Sequence, residues 1–396
     1  MNVRTDIIKP PKQDIFKSGK FRSIVIQIIV MVLVVVSIGW IVNNAATNMK
    51  ANGIAHGFSF LTETSMFDIG YLPFIEHSPA HTYFNAFVVG LLNTILVAVL
   101  GIFLATIIGF LIGIGRLSDN WLVARFCGFY VEALRNIPLL LQLFFWYHAV
   151  LRVLPRAKNT LHLGDSFFLN LQGMFLPRPI PEIGFNYVLL IGMFSIIAII
   201  ILIVWAKKRQ NLTGQQFPVF YASLAIFIVP VLLVLYLNNF PISFEQPVLK
   251  GFNFKGGIRL IPELVALLLA LSLYTATFIA ENVRSGILAI NKGQIEAAKA
   301  VGLHPVQILR LVIIPQAMRV IIPPLTSQYL NLTKNSSLAV AIAYPDLVAV
   351  FAGTALMQTG QAVEILAITM SVYLSLSITT SLLMNWYNRA MALKDN

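Results

Sequence analysis

Long apolar runs, separated by short polar segments, dominate the chain. A helix needs about 20 mainly apolar residues to cross the hydrocarbon layer of a bilayer. Eight segments meet or approach this length: residues 24–42, 87–117, 137–153, 187–205, 219–237, 260–280, one within 320–348, and 363–386. The pattern predicts an all-α polytopic membrane protein with about eight transmembrane helices.

The polar segments divide the chain into four regions. Residues 1–85 hold a basic cytoplasmic tail, a first transmembrane anchor and a loop that should face outside, and residues 86–153 hold the next two predicted spans. Residues 154–257 hold a second outer loop, whose prolines break any helix, and two further predicted spans. Residues 258–396 hold the last three predicted spans and a cytoplasmic loop at 281–315. The first apolar run is longer than the usual signal-peptide core, so we expect an uncleaved anchor, with a cleavable signal peptide as the alternative.

Composition and charge agree with a membrane protein. Hydrophobic residues make up 58% of the chain, charged residues only 11%, and mean hydropathy is +0.80. These values exclude an ordinary soluble enzyme. The net charge is +12, and most basic residues flank apolar runs, which predicts that both termini are cytoplasmic. We see no basic stripe with interleaved aromatic residues, so membrane lipid is an expected partner and nucleic acid is not.

Small residues recur every fourth position in the second predicted span. Gly101, Ala105, Gly109 and Gly113 place small side chains on one helix face, which allows another helix to approach closely. Two interpretations stay open: an interface with another subunit, and packing within the chain.

A helix, a turn and a second helix are predicted in the cytoplasmic loop. Residues 294–301 are good helix formers, Gly302 is a natural stop, and Pro305 suits the first turn of a second helix, which Pro315 would end. Ala297 and Ala298 form a small-sided face that could enter a groove of another protein.

The same loop carries a signature with defined spacing. Glu296, Ala297 and Ala298 are followed by Gly302 and then by Val312, Ile314 and Pro315. This resembles the "EAA" motif of ABC importer permeases of type I. The resemblance implies that Gln294, Glu296, Ala297, Ala298, Gly302 and Pro315 belong to a coupling helix that docks on an ATPase subunit. The sequence contains no GxxxxGK[ST] motif, so we expect no cofactor in this chain, with ATP and Mg bound by the partner ATPase.

Flanking motifs narrow the resemblance. Arg135, Pro138 and Gln142 resemble the Arg-x-x-Pro-Leu-(Leu/Val)-x-Gln motif of polar amino-acid permeases. The segment from Lys334 to Ser337 resembles a second motif of the same permeases. The likeness covers residues 86–390. It implies that residues 86–153 and 258–396 form the permease core and that residues 154–257 are an insertion with a periplasmic loop and two extra transmembrane helices. This insertion, with the long N-terminal anchor and outer loop, resembles the larger permeases of general L-amino-acid uptake systems in Gram-negative bacteria. The likeness also implies an inner-membrane permease working with two ATPase copies, a related second permease and a periplasmic amino-acid-binding protein.

Polar residues within or beside apolar spans are candidates for the pathway or a gate, because burying them in lipid is costly. They are Arg135, Pro138, Gln142, Glu281, Lys334, Asn335, Ser336 and Ser337. Glu281 can pair with Arg284 on one helix face, and a purely structural ion pair is the alternative.

We find no catalytic residues and predict no metal site, and we expect His77 and His81 to be solvated loop residues. A stand-alone ion-coupled transporter is the alternative function. It would need acidic residues at mid-membrane and internal repeats, neither of which the sequence displays. A membrane-anchored enzyme would need a catalytic cluster.

Overall fold

The structure is a computed structural model that describes residues 19–51, 57–164, 166–215, 217–251 and 253–391. The basic tail before residue 19, and Lys394, which entered the prediction of orientation, lie outside the described residues. The helices are α1 (Gly19–Ala51), α2 (Tyr83–Gly115), α3 (Trp121–Arg135), α4 (Leu139–Phe144), α5 (Phe185–Thr213), α6 (Val219–Leu237), α7 (Pro262–Leu288), α8 (Lys292–Ala300), α9 (Pro305–Ile308), α10 (Ile314–Asn335), α11 (Leu356–Thr359) and α12 (Ala362–Met391).

Short strands occur in the insertion and next to it. They are β1 (Leu161–Leu163), β2 (Phe167–Asn170), β3 (Gly173–Leu176), β4 (Arg178–Pro181), β5 (Ile242–Glu245), β6 (Val248–Lys250), β7 (Asn253–Lys255) and β8 (Ile258–Leu260). β1, β2, β3 and β8 form one antiparallel sheet, with Leu176 opposite Ile258, while β4 pairs with β5 and β6 with β7. The sequence analysis predicted only a loop here. The prolines of β4 are accommodated because β4 has a single neighbour.

Seven helical segments of the described residues are long and apolar enough to cross a membrane. Six of the predicted spans correspond to α1, α2, α5, α6, α7 and α12. The span expected within residues 320–348 begins earlier, because α9 and α10 belong to one helical run, Pro305–Ile342.

The span predicted at residues 137–153 corresponds to a short helical segment. The apolar helix there, Leu139–Val153, is too short to be one of the seven. Together with α3, however, it runs antiparallel along α7. Near one end of α7, the Tyr147 hydroxyl donates a 2.7 Å hydrogen bond to Glu263 Oε1, and further along, the Arg135 guanidinium lies 5.1 Å from the Phe278 ring centroid. A bend around Pro138 separates α3 from α4, so the predicted span covers only the second of these two helical segments.

The chain forms two compact units, residues 1–92 with 347–375, and residues 93–346 with 376–396. In the first unit, a largely aromatic core joins the outer loop to the start of α2, to the helical segment of residues 348–359 and to the start of α12. Phe60 and Phe351 are buried with ring centroids 6.1 Å apart, and the Tyr83 hydroxyl donates to Gln358 Oε1 at 2.9 Å.

His77 is buried in this unit, with 6% of its surface exposed, so the prediction of a solvated side chain was wrong. Its Nδ1 lies 2.7 Å from Asn85 Oδ1, and its Nε2 lies 3.1 Å from the Phe67 carbonyl oxygen. The outer loop folds back on itself through a hydrogen bond from Ser65 N to the His81 carbonyl, and this encloses the ring. His81 is exposed, as expected.

In the second unit, α7 has more buried residues than any other helix, and the small residues of α2 pack on it. A Cβ atom on Gly109 would lie 2.5 Å from Ile279 Cγ2, and one on Gly113 would lie 2.7 Å from the Ala280 carbonyl oxygen. One on Gly101 would lie 3.1 Å from the Leu332 side chain of α10. Of the two interpretations of this face, packing within the chain therefore accounts for Gly101, Gly109 and Gly113.

The two extra helices of the insertion, α5 and α6, pack on each other. Most of their apolar side chains, such as Ile200, Leu232 and Leu233, are exposed. Such an all-round apolar surface is typical of helices that face lipid.

Candidate functional site

The predicted cytoplasmic helix is present as α8. Its N-cap is Asn291, whose side-chain Oδ1 accepts a 2.8 Å hydrogen bond from Gly293 N. Gln294, Glu296 and Ala297 are exposed, whereas Ala298 is buried at 6% exposure. The expectation of one small-sided face containing both alanines is therefore wrong, because adjacent residues point about 100° apart around a helix. Only Ala297 is available to a partner.

Gly302 ends α8 and sets the direction of the chain beyond it. Its φ is +82°, in the left-handed region that favours glycine. Gly302 N donates to the Lys299 carbonyl at 3.0 Å, and Leu303 N donates to the Ala298 carbonyl at 3.1 Å. This turn satisfies carbonyl groups that the helix end would leave unpaired.

The second short helix differs from the prediction at its end. Pro305 occupies its first turn as expected, and the His304 backbone N–H donates to Gln307 Oε1 at 2.9 Å. Pro315, however, does not end it. A π-helical turn, Leu309–Ile313, leads directly into α10, and Pro315 is the second residue of that helix. The chain thus passes from α8 into the helical run that begins at Pro305 through a short linker that contains Gly302.

Glu281 pairs with Arg284, as the spacing predicted, and with a second arginine that the sequence analysis did not assign. Glu281 Oε1 accepts a 2.6 Å hydrogen bond from Arg284, and its Oε2 is ion-paired with Arg116. The three side chains are between 17% and 32% exposed. The cluster joins the end of α2 to the end of α7, the helix that leads into α8.

Gln142 stabilises the bend between α3 and α4. Its side chain is buried, and its Nε2 donates to the carbonyl oxygens of Leu134, at 2.7 Å, and Ile137, at 2.9 Å. Pro138 is the exposed N-cap of α4, and Arg135 stacks on Phe278. Gln142 thus connects α4 to the residues at the end of α3, and Arg135 contacts α7, so both side chains have structural roles.

The residues from Lys334 to Ser337 mark a change of helix type. Lys334 is exposed, and α10 ends at Asn335. Ser336 Oγ donates to the Thr333 carbonyl and Ser337 Oγ to the Lys334 carbonyl, each at 2.8 Å. A 3₁₀ helix, Ser336–Ile342, follows, so the predicted polar cluster lies where the helix changes type.

Comparisons with known proteins identify the family of this chain. Residues 212–393 match the family described as "Binding-protein-dependent transport system inner membrane component". The chain is 53% identical, over 376 residues covering 95% of it and 94% of the relative, to the General L-amino acid transport system permease protein AapQ of Rhizobium johnstonii. It is 41% identical, over 407 residues covering 95% of each protein, to the Glutamate/glutamine/aspartate/asparagine transport system permease protein BztB of Rhodobacter capsulatus. With such identity along nearly its whole length, the chain belongs to the family of inner-membrane permease components of binding-protein-dependent ABC importers.

Proposed function

We propose that this chain moves L-amino acids of broad range from the periplasm to the cytoplasm. The substrate class is supported by the names of its relatives, which are permeases of general L-amino-acid and of glutamate, glutamine, aspartate and asparagine transport systems. ABC importer permeases work with ATPase subunits and a binding protein, and the chemistry of ATP hydrolysis belongs to the ATPase.

The observation that carries the coupling role is the exposed surface of α8. Gln294, Glu296 and Ala297 point outward from a helix that Ala298 anchors to the rest of the chain. Only the short linker of residues 301–304 separates α8 from the long helical run, so we expect a displacement of α8 to reach the start of that run. We assign ATPase docking to this surface, with Pro315 in the helical run that responds.

Transport then follows alternating access. ATP binding draws two ATPase subunits together, and each pulls on the coupling helix of one permease. The pathway turns from inward to outward facing to the extent that the nucleotide state binds one conformation more tightly. In this scheme Arg135, Pro138 and Gln142 maintain the bend beside α7, and the segment from Lys334 to Ser337 contributes a flexible joint near the pathway.

The assembly we propose contains two copies of the ATPase, a related but different second permease, and a periplasmic amino-acid-binding protein. It lies in the bacterial inner membrane with both termini cytoplasmic. This orientation places Arg116, Lys207, Lys208, Arg284 and the α8 segment on the inside, in agreement with the preference of basic residues for cytoplasmic loops.

Co-purification tests the coupling assignment. The tagged chain is expressed with its partner subunits as wild type, Glu296→Lys or Gly302→Asp, and bound ATPase is quantified. Glu245→Lys, an equal charge reversal at an exposed strand residue of the insertion, is the matched control. We expect wild type and control to retain a P-loop ATPase, and the two α8 variants to lose it while still inserting in the membrane. A wild-type chain that purifies alone and moves amino acids on an ion gradient would establish the secondary-transporter alternative instead.

A further inference from the structure

A groove opens where α2, α3 and α7 meet at one end of their crossings. It has a volume of about 360 Å³, and its lining includes Arg116, Trp121, Arg125, Gly128, Phe129 and Arg284. Arg116 directly follows α2, and Arg284 lies in the last turns of α7. Both helices are long and apolar enough to cross a membrane, and the groove lies where they end, so we expect it at the level of the membrane–water interface.

We propose that this groove binds the phosphate headgroup of an anionic phospholipid. The inference does not depend on the transported substrate or on the coupling role of α8. It needs only that α2 and α7 cross the bilayer. In the orientation proposed above, the lipid would belong to the cytoplasmic leaflet.

Charge supports an anionic ligand. The groove walls carry three arginines, Arg116, Arg125 and Arg284, and one carboxylate, Glu132. Glu281 is bound to two of these arginines, which leaves one positive charge in excess. Among the described residues, Arg125 has no ion pair or hydrogen bond and is exposed. A single phosphodiester would balance this excess, and guanidinium groups match the geometry of phosphate oxygens.

The shape of α3 supports a lipid over a soluble anion. Trp121, Arg125 and Phe129 follow one another at four-residue intervals on one face, so the basic residue lies between two aromatic residues along that face. Trp121 is 75% exposed and Phe129 69%. Tryptophan beside basic side chains is typical of the interfacial zone of membrane proteins. Phe126, 67% exposed, extends the apolar surface beside the groove, where an acyl chain can lie.

The floor of the groove leaves room for the headgroup. A Cβ atom added to Gly128 would meet no heavy atom within 4 Å, so a larger side chain there enters open space. Basic pockets between membrane helices are known sites for acidic headgroups. Filling the floor at Gly128 therefore tests the site without altering the arginines.

The test uses the full chain with Trp121 as its only tryptophan, the other four, Trp40, Trp146, Trp205 and Trp386, being changed to Phe. The protein is reconstituted in vesicles of phosphatidylcholine with a minor fraction of phosphatidylglycerol. Bromine atoms, which quench tryptophan fluorescence, are placed on the acyl chains of one lipid or the other. We expect a preference of about fivefold for brominated phosphatidylglycerol around Trp121, from one uncompensated arginine near the surface.

Two variants in the groove and one matched control outside it test whether the groove causes this preference. Gly128→Leu and Arg125→Gln should each bring the preference close to one. Gly192→Leu, the same change at an open position on α5, should leave it unchanged. Equal quenching by both lipids in the parent protein, or a preference that survives both groove variants, would overturn the proposal. Inorganic phosphate in the buffer should not reduce the preference, and competition by phosphate would identify a soluble anion as the ligand instead.

Discussion

Glu281, near the end of α7, forms an ion pair with Arg116, which directly follows α2. The two residues are 165 positions apart, yet they connect the helix that carries the small-residue face to the helix that leads into the coupling segment. Arg284 shares the same carboxylate. These three side chains therefore connect the ends of α2 and α7 immediately before α8.

Removing the Glu281 carboxylate should weaken the connection between the ends of α2 and α7. We expect Glu281→Gln to lower the free energy of unfolding by about 1 kcal/mol, because partly exposed ion pairs contribute little more. A double-mutant cycle with Arg116→Gln, followed by thermal unfolding in detergent, measures the coupling between the two residues. Strictly additive effects of the two changes would show that the pair contributes nothing to stability.

The two alanines of α8 should respond to the same substitution in opposite ways. Ala297→Glu places a charge on the exposed surface, so we expect loss of ATPase binding with unchanged unfolding. Ala298→Glu buries an uncompensated charge and should cost about 3 kcal/mol of stability. Co-purification and thermal unfolding of both variants provide the comparison. Retention of the ATPase by Ala297→Glu would remove this face from the docking surface.

The close approach of α2 to α7 should not tolerate a methyl group at Gly113. Its Cβ would lie 2.7 Å from the Ala280 carbonyl oxygen and 2.8 Å from Val283 Cβ. We expect Gly113→Ala to destabilise the chain by about 1–3 kcal/mol, as overpacking does. Gly128→Ala, at an open helical position, should be neutral or stabilising and is the control. Similar unfolding curves for the two variants would mean that α2 and α7 do not pack this closely.

Gln142 should act through the bend and not as a lining residue of the pathway. Gln142→Leu leaves the Leu134 and Ile137 carbonyl oxygens without their side-chain donor, and we expect a loss of about 1–3 kcal/mol. Thermal unfolding, compared with amino-acid uptake per folded molecule, distinguishes the roles. Uptake that changes while stability stays constant would favour a place in the pathway.

The sequence by itself determined the features that depend on neighbouring residues. Apolar runs of about 20 residues predicted most of the membrane helices, since length and composition alone decide whether a helix can cross a bilayer. Gly302 and Pro305 predicted the turn after α8, because positive φ and the missing proline N–H act within one turn. The Glu281–Arg284 pair was predictable for the same reason.

Only the tertiary structure decided which distant groups meet. It paired Arg116 with Glu281 and placed β3 beside β8. It also brought the segment after α4 against α7 through the hydrogen bond between Tyr147 and Glu263. It also buried Ala298 while leaving Ala297 exposed, and it formed the groove at Gly128. These outcomes depend on how helices from separate segments pack against one another. No local window of sequence specifies that packing, so the sequence identified the elements and their chemistry, whereas packing decided their neighbours.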